Sequence, residues 1–123
     1  MALNDIMSTK SILENIANEA KKTLIEDSWQ ASPAWGLCGL AARNIARAML
    51  GKGFSPDKIK IYLLSLGNGG YHVIPAFGSS NNFDDLWRID IHELSEKLVY
   101  APGEKYWVAE FRPQLVNDNY FAP

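Results

Sequence analysis

Apolar residues fall first into a spacing of three and four along the chain, and later into alternation. Ile12, Leu13, Ile16, Ala17, Ala20 and Leu24 recur at helical spacing, while Lys10, Glu14, Asn15, Asn18, Lys21 and Lys22 take the other side. The pattern predicts an amphipathic helix over residues 8–26, opened either by Ser8 or by a capping box of Ser11 with Glu14. A second helix is predicted from Cys38 to Leu50, with Leu40, Ala41, Ile45, Ala48 and Met49 apolar and Arg43, Asn44 and Arg47 peripheral. Its four alanines allow strands to approach the helix axis closely, and Gly51 and Gly53 end it. Between the two helices, Asp27 to Ala34 carries Pro33 and small polar residues and reads as a loop.

Alternation takes over after Ser55-Pro56. Ile59, Ile61 and Leu63 alternate with Lys58, Lys60 and Tyr62, and predict a short strand. Gly67-Asn68-Gly69-Gly70 is a tight connection to Tyr71–Phe77, which reads as a second strand. That strand places His72, Ile74 and Ala76 on one face and Val73, Pro75 and Phe77 on the other. Pro75 cannot donate to a ladder and predicts an edge or a bulge. A polar turn over residues 78–85 leads to a third strand, Leu86–Ile91, and the antiparallel hairpin so formed makes neighbours of His72 and Asp90. Ile91 to Leu98 looks helical, with Asp90 and Glu93 as a capping box. Tyr106–Arg112 alternates as a fourth strand that Pro113 ends, and residues 114–123 carry no periodicity. The expected class is α+β: N-terminal helices packed on a small antiparallel sheet.

Composition narrows the field. A chain of 123 residues, 47% hydrophobic and 21% charged, fits one globular domain over residues 1–123. A net charge of -2 with scattered Lys and Arg gives no basic groove, so nucleic acid is not an expected partner. No apolar run reaches 18 residues, so no membrane span is expected. The N-terminus lacks the basic and apolar regions of a signal peptide. The expected location is the cytoplasm, or a target cell reached as part of a larger exported protein. One cysteine excludes an intramolecular disulfide.

That cysteine carries the candidate chemistry. Cys38 stands where a loop of small and aromatic residues, Trp35-Gly36-Leu37, enters the second helix. The first turn of a helix offers unpaired N–H groups and the positive end of the dipole, and both favour a thiolate. His72 is the candidate base, and Asp90, accepting from the other ring nitrogen, would fix its tautomer and stabilise the imidazolium. The Cys38 N–H points where an oxyanion forms on an attacked carbonyl, and the Gln30 amide is a further oxyanion candidate. Each residue also has a plain structural reading: a core cysteine, an N-cap aspartate, a surface glutamine. His92 is a competing histidine on a predicted helix turn. One Cys and two His without ligand spacing make no zinc set, so neither metal nor cofactor is expected.

Three segments together resemble the papain-like superfamily, in which a cysteine begins a central helix, a histidine begins a strand and an Asn or Asp on the adjoining strand completes a triad. Trp35–Ala41 is similar to the nucleophile segment, Tyr71–Gly78 to the histidine strand and Leu86–Asp90 to the strand of the third member. The likeness spans roughly residues 28–91. With Cys38 and His72 only 34 positions apart, the chain looks most like the small papain-fold domains of bacterial toxins and the transglutaminase-type members. The resemblance implies a Cys-His-Asp enzyme acting on a protein or peptide amide by proteolysis, glutamine deamidation or transamidation. For a toxin or effector domain it also implies a cognate immunity or inhibitor protein. The competing expectation is a non-catalytic α+β module that binds a partner protein through its Trp and Tyr residues.

Overall fold

The computed structural model describes residues 3–27, 38–67, 70–91, 97–106 and 110–116. Two helices, α1 (Leu3–Asp27) and α2 (Cys38–Gly51), precede five strands: β1 (Ile59–Leu66), β2 (Tyr71–Phe77), β3 (Trp87–Ile89), β4 (Val99–Tyr100) and β5 (Phe111–Leu115). All strand pairs are antiparallel, in the order β4-β3-β2-β1-β5. The class is α+β, as the alternation of periods predicts.

α1 begins at Leu3, so Ser8 and Ser11 lie inside it and cap nothing. Leu3 and Ile6 extend the same apolar spacing backwards, which explains the earlier start. Leu13, Ile16 and Ala17 are buried, while Lys10, Asn15, Asn18 and Lys22 lie on the other side of the helix. α2 buries Ala41, Ala42, Ile45, Ala46 and Met49. Ala48, expected in the apolar set, is exposed, because the buried stripe follows positions 42, 45, 46 and 49. The helix ends in a Schellman motif: the Gly53 N–H donates to the Leu50 carbonyl and the Phe54 N–H to the Met49 carbonyl, with Gly53 at φ 91°. Phe54 then lays its ring on Phe77, with centroids 4.6 Å apart.

The sheet has two different faces. Both helices cover the face bearing Ile59, Ile61, Val73, Phe77, Trp87, Ile89 and Val99. Each fully buried aliphatic side chain there contributes about 1.5–3 kcal/mol. The other face carries Tyr62, Leu64, Ile74, Ala76 and Tyr100, and it is covered by Phe83, Leu86, Tyr106 and Phe111. Phe83, Tyr106 and Phe111 meet edge to face at 5.5 to 5.8 Å. Arg88 is buried among them. Its Nη2 donates to the carbonyls of Ala101 and Glu104, and its Nε to that of Leu86, which ties two loops to β3. Burial pulls the Arg88 pKa down, against the opposing pull of the Asp84 and Glu104 carboxylates.

Two prolines are placed otherwise than predicted. Pro75 is neither at an edge nor in a bulge: it lies in β2, the middle strand, in unbroken register opposite Ile61. The Gly78 N–H donates to the Lys58 carbonyl, so positions 78, 76, 74 and 72 aim their backbone groups at β1. Pro75 has the other parity. Its missing N–H falls on the β3 side, where pairing extends only over Ala76–Arg88 and Phe77–Trp87. Pro113, expected to end a strand over residues 106–112, instead sits within β5 opposite Leu64. The Val116 N–H donates to the Ile61 carbonyl, which by the same parity turns Pro113 outward on an edge strand, where a proline costs no ladder bond. Tyr106 precedes that strand and is not part of it. β3 is shorter than the expected 86–91, and Leu98 accepts from the Asp90 N–H before the two-residue β4. The core of the helix expected over 91–98 lies outside the described residues. Among the described residues no helix is long and apolar enough to cross a membrane.

Candidate functional site: a buried His-Asp-Tyr chain

His72 is the second residue of β2, and Asp90 follows directly on β3. The antiparallel arrangement that pairs Ala76 with Arg88 brings the two together as the strand alternation predicts. His72 Nε2 lies 2.9 Å from Asp90 Oδ1, and both side chains are buried, at 10% and 0% exposure. The Tyr106 hydroxyl donates to the other carboxylate oxygen, Asp90 Oδ2, at 2.5 Å. Asp90 thus spends both oxygens on buried donors. A capping role toward Glu93, which lies outside the described residues, is not needed to account for its side chain. A buried carboxylate without such partners would be strongly disfavoured.

The pair occupies a definite place in the fold. His72 stands opposite Leu64 in the β1–β2 register and shares the parity of Ile74 and Ala76, which puts its side chain on the aromatic face. α2 covers the opposite face and packs chiefly against β2. Phe54, just past the end of α2, rests on Phe77, so the helix ends over the Phe77 end of β2. Its 14 residues span about 21 Å, and the distance along β2 from Phe77 back to His72 is about 17 Å. α2, whose first residue is Cys38, packs on the helix side of the sheet, and the His72 end of β2 is the end away from Phe77. The Cys38 side chain, Gln30 and His92 lie outside the described residues.

Around that end the surface is concave. A cavity of about 310 Å³ is lined by Ser65, Leu66, Gly67, Glu110, Phe111 and Arg112, beside the Leu64–His72 and Ser65–Tyr71 pairs. Tyr71 is a large side chain left 68% exposed at the same end. A wider groove of about 460 Å³ runs between α1 and α2, lined by Ile16, Ala20, Ala48 and Arg47 among others. It includes neither His72 nor Asp90. Among the described residues no cluster of His, Cys, Asp and Glu could hold a metal ion.

Sequence reasoning missed Tyr106. Alternation makes it the first residue of a strand, and its side chain counts there only as one beat of the period. The hydroxyl that completes the chain has no local signal, since its partner is 16 residues away. No family model, no curated protein and no solved structure matches this chain.

Proposed function

We propose that the chain is a thiol-dependent acyl-transfer domain acting on a protein or peptide amide, with Cys38 as nucleophile, His72 as base and Asp90 as the group that holds His72. The observation that carries this reading is the buried His72 Nε2–Asp90 Oδ1 contact of 2.9 Å. With the proton on Nε2 held by Asp90, Nδ1 is the atom that takes the Cys38 proton. The thiolate attacks the carbonyl carbon, and the Cys38 N–H, free of any intrahelical acceptor at the head of α2, donates to the oxyanion. His72 then returns the proton to the departing amine as the C–N bond breaks, leaving a thioester. Water releases the acid in a hydrolase or deamidase, and an acceptor amine releases a new amide in a transamidase; His72 takes the proton of either. His72 lies on the aromatic face of the sheet, and α2 packs on the opposite face.

That separation of faces favours a second reading, a partner-binding α+β module in which His72, Asp90 and Tyr106 form a satisfied polar layer of the core. The pH dependence of Cys38 alkylation by iodoacetamide separates the two. The enzyme reading predicts rapid alkylation persisting well below about pH 8.5, the value of an ordinary thiol, and its loss in His72→Ala. Slow alkylation at neutral pH, indifferent to His72, would leave the binding module as the better account. A domain that passes is then screened for cleavage or deamidation of proteins, including any that bind it as an inhibitor.

A further inference from the structure

We infer that Tyr106 is a positioning residue of this site: its hydroxyl locks the Asp90 carboxylate so that Oδ1 faces His72 Nε2 and keeps the imidazole proton there. The inference rests on the acyl-transfer reading for its catalytic meaning and on geometry for its substance. The Tyr106 ring cannot swing freely, since it meets Phe83 at 5.8 Å, Tyr100 at 5.1 Å and Phe111 at 5.5 Å, all edge to face. The residue is 3% exposed, so its hydroxyl and the fully buried Asp90 carboxylate meet away from bulk water. A short donor bond to one carboxylate oxygen favours the ionised form and fixes its rotation. An ionised Asp90 with Oδ2 committed to Tyr106 presents Oδ1 to the imidazole, and that sets the tautomer with the proton on Nε2. Among the described residues, other titratable or charged groups on this side are Lys60 and Tyr62 of β1, Arg88 of β3, Tyr100 of β4, and the Asp84 and Glu104 carboxylates that act on Arg88. Lys60 is bonded to the Gly78 and Ser80 carbonyls and Arg88 to those of Leu86, Ala101 and Glu104.

Tyr106→Phe keeps the ring and its aromatic contacts and removes only the donor. The first readout is the His72 ring by NMR across a pH titration, wild type against Y106F. Loss of the hydroxyl releases Oδ2 and lets the carboxylate rotate, so the His72 pKa is expected to shift by about one unit, with a mixed tautomer replacing a single Nε2–H form. The second readout is Cys38 alkylation. Its pH onset is expected to move upward in Y106F, with about tenfold slower reaction at neutral pH, and Asp90→Asn is expected to abolish any further effect of Y106F. An unchanged His72 pKa and tautomer in Y106F overturns the inference whatever the thiol does. If wild-type alkylation does not depend on His72, the acyl-transfer reading fails by itself, while the His72 titration still decides the role of Tyr106. Thermal denaturation of Y106F separates a folding defect from the expected effect, and Tyr106→Leu, which lacks both ring and hydroxyl, supplies the structural baseline.

Discussion

Glu104 is pulled in two directions. Partial burial pushes its carboxyl pKa up, but the hydrogen bond from Lys97, the Ala101 N–H and the charges of Lys97 and Lys10 outweigh that and hold it below the ordinary 4.5. A depressed carboxyl pKa stabilises the fold fully above the unfolded value, and the contribution disappears as pH falls through the folded value. The stability difference between wild type and Glu104→Gln in urea should therefore be at full size near neutral pH and be lost as pH falls below 4.5 and through the lower folded value. Because the side chain is 34% exposed, the difference is expected to be about 0.5 kcal/mol or less. A difference that persists unchanged to low pH would contradict the assignment. Single residues of this kind are where the sequence is least legible. Neither Glu104 nor Tyr106 has a local pattern naming its partner, whereas His72 and Asp90 could be paired in advance because strand parity and hairpin register carry that information.

At the scale of elements, the Schellman end of α2 sets the path of the chain into the sheet, since it turns the backbone so that Phe54 reaches Phe77 and β1 can begin beside β2. Gly53 needs its positive φ, whereas Gly51 closes the helix with open space around it and is not among the positive-φ residues. Gly53→Ala should cost about 1 kcal/mol in urea denaturation, and Gly51→Ala should be neutral or slightly stabilising. Equal effects of the two would contradict the motif. Periodicity places α1, α2, β1 and β2 close to their true positions because each has enough residues to show a period. It cannot reveal β4, which has two residues, and it sets β5 too early because Pro113 reads as a stop. A proline forbids only the bond on the side its nitrogen faces, and which side that is depends on register, which periodicity does not state.

For the molecule as a whole, the sheet is a partition. Helices pack on one face, and an aromatic layer pinned by Arg88 packs on the other, with His72, Asp90 and Tyr106 at one end of that layer. The α+β class and the meeting of His72 with Asp90 are legible in the sequence pattern. The division of faces is not, because alternation assigns residues to two sides without saying which side the helices take. An enzyme built on this plan has to bring its nucleophile, at the head of α2, and its base together from opposite faces of the partition.

The most direct measurement is the ultraviolet absorbance of the thiolate, taken as a difference between wild type and Cys38→Ser over about pH 5 to 9, which reports one group because the chain has one cysteine. A Cys38 paired with His72 gives a thiolate band already present at about pH 6 and lost in His72→Ala. A band that emerges only near pH 8.5 or above, with the same midpoint in both proteins, would contradict a nucleophile activated by His72.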